Sequence, residues 1–192
     1  MPDHKPFSEI YVIDPTTQHY MIEIGLDQYS DIFSEWDPAP FKRREIDPDL
    51  ATYLEESSQE IPGKHRIELC FILPLQNYNQ RIETEARQGL ANSFIFKLYL
   101  LRKQLKKTNA QMLRLVILGL LLLWFGAIAT RRVEEGVISS TLIEGVFIAG
   151  WVFLWEAVSL FFFTNLELYQ RYRTYRRLQD APVIFRTIEK LE

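Results

Sequence analysis

Residues 142–163 read LIEGVFIAGWVFLWEAVSLFFF, an apolar run interrupted only by Glu144, Glu156 and Ser159. About 20 such residues cross ~30 Å of hydrocarbon as a helix, and a helix in a soluble core seldom stays apolar on every side for that length. A second block, residues 115–129 with Met112 and Leu113 just upstream, has the same character. A chain of 192 residues is too small to bury both helices on all faces. The blocks are therefore expected to span a bilayer at 112–130 and 142–163, joined by an external loop at 131–141.

The charges flanking the blocks orient them. Lys97, Arg102, Lys103, Lys106, Lys107 and Arg114 precede the first block, and Arg171, Arg173, Arg176 and Arg177 follow the second. The loop RRVEEGVISST sets two arginines against two glutamates. The positive-inside rule then places both termini in the cytoplasm. The polar opening MPDHKPFSEI lacks the apolar core of a secretory signal. One cysteine, Cys70, forms no internal disulfide and suits a reducing compartment. A net charge of −3 excludes nucleic acid as the expected partner, while the basic collars suit anionic lipid head groups.

Outside the blocks the pattern is mixed. Ile10 and Val12, then Tyr20, Ile22 and Ile24, alternate with polar positions around DPTTQ, the signature of a β-hairpin. Asp47 followed by Pro48 predicts a helix over 48–60 with Asp47 as its cap, burying Leu50, Tyr53, Leu54 and Ser57. HRIELCFILP predicts a strand with Ile67, Leu69, Phe71 and Leu73 on one face. From residue 79 an amphipathic linker helix runs to 111, with a stripe of Ile82, Ala86, Leu90, Phe94, Leu98, Leu101 and Leu105 that packs on the sheet or pairs with a neighbouring subunit. Residues 164–192 continue as a helix to Pro182 and end in the strand VIFRTIEKL, packing on the domain of residues 1–78. The expected fold is a cytoplasmic α+β domain, a small sheet of three or four strands with helices, attached to a transmembrane two-helix hairpin.

The second block holds the candidate site. At ~100° per residue, Gly145, Ala149, Val152, Glu156, Ser159 and Phe163 share one line, so the acid sits on the small and polar face near the depth of the bilayer centre. Gly145, Ala149 and Val152 are expected to pack helices, since small residues allow close approach in lipid. Glu156, with Ser159, has three readings: a protonated donor bonded between helices, a ring attracting cations into an oligomeric pore, or a bond to the first span or a partner. Glu144 lies on a bulkier stripe with Trp151, Trp155 and Phe162, near the outer boundary where an acid reaches head groups.

A second candidate region is SEWDPAPFKRREIDPDL, where Asp37, Glu45, Asp47 and Asp49 cluster. They lack the ligand rhythm and central glycine of a calcium loop, so capping is the plainer role and a regulatory cation site the sharper one. Trp36 and Phe41 are expected to latch this segment onto the sheet, or to dock a protein partner. The chain holds no P-loop, GxGxxG, HExxH, CxxC or GxSxG, and His4, His19 and His65 are scattered. No enzymatic activity, cofactor or metal is expected.

WDPAPFKRREIDPDL, EIP followed by RIELCFILP, EGVFIAGWVFLWE and YRRLQDAPVIF together resemble a group of uncharacterised bacterial two-span membrane proteins. The resemblance covers most of the chain in the same order and implies a two-span topology in a bacterial inner membrane, with no activity attached. Members carry a proline and a further acid after the second-span tryptophan, where this chain has Ala157 and Ser159. Trp155 and Glu156 are also similar to the Trp–acid pair of calcium uniporters, but Ala157, Val158 and Ser159 depart from that pattern, so calcium selectivity is not implied. The expected function is an oligomeric inner-membrane protein acting as a small cation channel whose second helices face the pore. The alternative is a membrane-anchored scaffold whose cytoplasmic domain docks a partner protein.

Overall fold

A computed structural model describes residues 10–132 and 136–188 of the chain. The chain divides into two compact units, residues 1–99 with 171–192 and residues 100–170. In the first, β1 (Tyr20–Gly25), β2 (Ile67–Pro74) and β3 (Val183–Ile188) form one sheet in that order, and both pairings are parallel. Ile22 lies beside Leu69, and Phe71 beside Phe185. The central strand is covered on both faces: Ile67, Leu69, Phe71 and Leu73 are buried, and so are Glu68 and Cys70 between them.

Parallel neighbours cannot be joined by a tight turn and need a crossover, usually helical. The first crossover contains α1 (Pro48–Glu60). The second contains the remaining α-helices among the described residues: α2 (Gln80–Arg132), α3 (Val137–Ser159), which a π-helical turn at Leu160–Asn165 joins to α4 (Leu166–Asp180). In chain order, the two apolar blocks are thus an insertion within a strand–helix–strand crossover. The strands feeding and leaving that insertion, β2 and β3, are hydrogen-bonded neighbours. The linker helix and first apolar block lie on one continuous helix, α2.

α1 starts where the Asp47–Pro48 pair predicts, with the Asp47 carboxylate accepting from the Asp49 and Leu50 amides at 2.9 and 3.3 Å. Its buried face is Leu54, Ser57 and Ser58. Leu50 is half-buried and Tyr53 is 44% exposed, its hydroxyl reaching out to the Glu23 carbonyl. The reading of residues 10–24 as an antiparallel hairpin is corrected. Only Tyr20–Gly25 is a strand, and Ile13 makes a single antiparallel bridge to Tyr20. The Asp14 carboxylate turns the chain instead, accepting from the Thr16 and Thr17 amides, and Gln18 sits at φ 59°. That turn folds over the polar face of the sheet, where Thr17 Oγ1 donates to buried Glu68 and Arg186 pairs with Asp14 at 2.7 Å.

The apolar stripe of α2 takes the first of its two expected roles within this unit. Ala86, Leu90, Phe94 and Leu98 are buried, and Arg87 donates to the Val183 carbonyl while its guanidinium covers the Phe185 ring at 4.8 Å. The final strand joins the sheet as expected over Val183–Ile188; its last residues, like His4, lie outside the described residues. From the far side of the insertion, Arg177 of α4 donates to carbonyls at the C-terminal end of α1.

In the second unit, α2 and the helical run from Val137 are each long and apolar enough to cross a membrane, and only 11% of the most apolar stretch of each is buried. Trp124, Leu142, Trp151 and Trp155 are all at least 65% exposed. A soluble surface seldom carries so much contiguous apolar area.

Candidate functional site

The packing of α2 against α3 is set by glycines. A Cβ on Gly119 would stand 2.9 Å from the Gly150 carbonyl oxygen, and one on Gly150 would stand 2.8 Å from Leu123 Cδ2 and 3.1 Å from the Gly119 carbonyl. Such close approach supplies the dispersion contacts that hold helices together in lipid. About two turns further along α2, Gly126 faces the Phe147 ring, and Ala157 is buried further along α3. At the other end Asn165, in the π-helical turn, donates from Nδ2 to Asn109 Oδ1 at 2.9 Å. The Asn165 Oδ1 is shut off from solvent with no donor among the described residues.

This places the expected site residues. The residues of the Gly145, Ala149, Val152 line do not pack the hairpin: a Cβ on Gly145 would meet nothing within 4 Å, Val152 is 60% exposed and Ala149 is half-buried. Glu156 follows Gly150 by six residues, which at ~100° each turns it ~120° from the contact. It is exposed, and no hydrogen bond or ion pair joins it to the described residues. Ser159 ends α3 half-buried, and Glu144 is exposed. A bond from Glu156 to the first span, one of the three readings, is absent among the described residues.

The register also gives the level of the acid along α2. Arg114 lies five residues before Gly119 and Glu156 six after Gly150 in the antiparallel helix. At ~1.5 Å per residue these are ~7.5 and ~9 Å from the same contact, so the two charges sit at nearly one level. Glu156 therefore lies level with the basic end of the first apolar block, not with its middle. Arg114, Gly119, Gly150 and the Asn109–Asn165 pair did not emerge from sequence patterning. Arg114 reads there as one member of a basic collar, and two isolated glycines on separate helices announce no contact.

The second candidate region is laid along α2. Phe41 stacks on Phe33 at 5.4 Å with Arg44 over its ring, and Asn92 and Ser93 donate to the Lys42 and Arg44 carbonyls. Phe41 thus latches the segment, whereas Trp36 is 94% exposed and does not. Asp37 closes the loop, accepting from the Ala39 and Glu45 amides at 2.9 and 2.8 Å. With Asp47 capping α1 and Asp49 exposed in its first turn, these acids are spread over separate local tasks. Among the described residues no group of three His, Cys, Asp or Glu is placed to hold a metal ion.

Those two amides hold the Asp37 carboxyl below its ordinary 3.8. A depressed folded-state value means the loop's stabilisation is present above the unfolded value and is lost as pH falls through the folded one. Acidification is therefore expected to lower the protection factor of the Glu45 amide, its exchange rate taken relative to an unstructured amide at the same pH, and Asp37→Asn to lower it at neutral pH. Equal protection in the variant and the parent would show that the carboxylate does not hold the loop.

Comparison with family models, with curated proteins and with solved structures finds no match.

Proposed function

We propose that this chain is a non-enzymatic bacterial inner-membrane protein that works as a homo-oligomer joined through the Glu156 face of α3. The observation that carries the reading is the position of that carboxylate: in an apolar helix, exposed, turned away from the Gly119–Gly150 contact and without a partner among the described residues. A charged acid facing acyl chains costs ~2.5–3.5 kcal/mol at the bilayer centre and less toward the head groups. A second chain covering it removes that cost. The pairing of β2 with β3 supports a two-span topology, because both flanks of the insertion return to one sheet and hence to one side of the bilayer. The basic flanks argue that this side is the cytoplasm.

In its finer form the assembly is a small cation channel, with Glu156 and Ser159 facing a shared axis. One hairpin encloses no pathway, so a ring of copies is required. A second reading, the membrane-anchored scaffold, is favoured by Trp36, a large aromatic held 94% exposed on an otherwise anchored loop. Purification in mild detergent and reconstitution in liposomes separate them. The channel form expects stable homo-oligomers and a cation flux that falls in Glu156→Gln. Unchanged flux removes Glu156 from conduction, and a monomer that is indifferent to the substitution and co-purifies with a different protein favours the scaffold.

A further inference from the structure

Resting on the homo-oligomer reading, we propose that the group meeting Glu156 in the bilayer is Arg114 of a second copy. Between residues 108 and 130 Arg114 is the only basic residue, and residues 136–170 contain none. The apolar part of the hairpin therefore offers Glu156 one cation. The Gly119–Gly150 register sets the two at nearly the same level. The other acid of α3, Glu144, is twelve residues from Glu156, ~18 Å along the helix, and cannot substitute.

Within one chain the pair does not form. Arg114 is exposed, its Nε donates to the Ala110 carbonyl of its own helix at 3.2 Å, and no carboxylate among the described residues lies within ion-pair distance of it. Arginine and glutamate thus both stand exposed on one hairpin, at one level, and in lipid each needs a partner of opposite charge to offset its desolvation. Two copies satisfy both residues at once if the contact is reciprocal, Arg114 to Glu156 in each direction, as a two-fold interface requires. In a ring each copy presents its arginine to the next copy's acid. The guanidinium fork matches a carboxylate in a bidentate way, and in low dielectric such a bond is stronger than at a wet surface. The acid then acts as a tie between copies, its charge is neutralised in the assembly, and the pairing takes the place of the open carboxylate ring of the channel form while keeping the homo-oligomer.

Differently tagged Arg114→Cys and Glu156→Cys chains, co-expressed and oxidised in native membranes, are expected to form a disulfide joining the two tags, while Cys70 is buried and stays out of the reaction. In detergent, Arg114→Gln and Glu156→Gln are each expected to weaken association about tenfold or more, and the swapped Arg114→Glu/Glu156→Arg chain to restore it. Slow Cys70 labelling in the glutamine variants and the swapped chain shows that their mixed domain is folded. Oligomers that ignore both glutamine variants and give no joined tags overturn the pair and leave the homo-oligomer reading standing. A wild-type chain that is monomeric in membranes overturns the homo-oligomer reading itself.

Discussion

Replacing Arg177 with methionine is expected to unfold the mixed domain, with a loss of roughly 3–5 kcal/mol, much of the margin of a small domain. The guanidinium of this α4 residue donates to the Ser58 and Ile61 carbonyls from Nη1 at 2.5 and 2.7 Å, and to the Pro62 and His65 carbonyls from Nη2 at 3.4 and 2.8 Å. These are carbonyls at the end of α1 and in the turn that follows, where a helix leaves its acceptors unpaired and carries partial negative charge. Methionine keeps much of the stem's packing and removes the guanidinium from all four carbonyls, of which Pro62 still accepts from the His65 amide at 3.0 Å. Lysine, a point charge on a flexible stem, cannot span the four acceptors as the planar fork does, so Arg177→Lys should rescue little. Cys70, fully buried in the central strand, reports the outcome as a thiol-labelling rate. Labelling as slow in Arg177→Met as in the parent would show that the clasp is dispensable.

The clasp matters to the two long apolar helices because Arg177 follows both of them in the chain. Arg171 pairs with Glu55 at 3.0 Å, and the ring of Tyr175 is buried against Phe94. Burial, with Glu55 nearby, pushes the Tyr175 hydroxyl up to about 12. These contacts tie the returning chain to the domain it left at α2, and they fix the topology of the crossover.

The second large effect is expected at Gly150. Gly150→Leu places a branched side chain where a Cβ alone would already stand 3.1 Å from the Gly119 carbonyl, and backbone cannot yield as Leu123 can. The helices must separate, and for a hairpin in lipid, as proposed above, no hydrophobic drive replaces the lost contacts. The expected cost is about 1–3 kcal/mol of hairpin closure. It is read as a lower yield of the disulfide between Asn109→Cys and Asn165→Cys, the positions whose side chains meet at 2.9 Å. Gly145→Leu is the contrasting variant: nothing lies near its Cβ position, so the hairpin should close as before while association between copies suffers. Equal disulfide yield in Gly150→Leu and the parent would refute the glycine contact.

Much of the unit that holds the sheet was legible residue by residue. Asp47 and Pro48 start α1 because a capping carboxylate and a fixed φ are local properties. The alternation of Ile67, Leu69, Phe71 and Leu73 marks β2 because a pleated strand repeats every two residues. Strand direction was not legible. Tyr20–Gly25 follows a turn that suits a hairpin, yet its partner is β2, far along the chain, and parallel pairing leaves no local trace. Trp36 misled for a related reason, since an aromatic beside prolines reads as an anchor until Phe41 is seen to hold that place.

By itself the sequence determined that two stretches are too apolar and too long for a core of this size, that they carry an acid on a small-residue face, and that basic residues flank them. Those properties follow from composition and helical periodicity, which need no neighbours. Only the tertiary structure decided which face of α3 packs α2, because that depends on Gly119 and Gly150 meeting across two helices. The same contact brought Glu156 level with Arg114 and left both exposed, a relation between positions forty-two residues apart that no local period encodes.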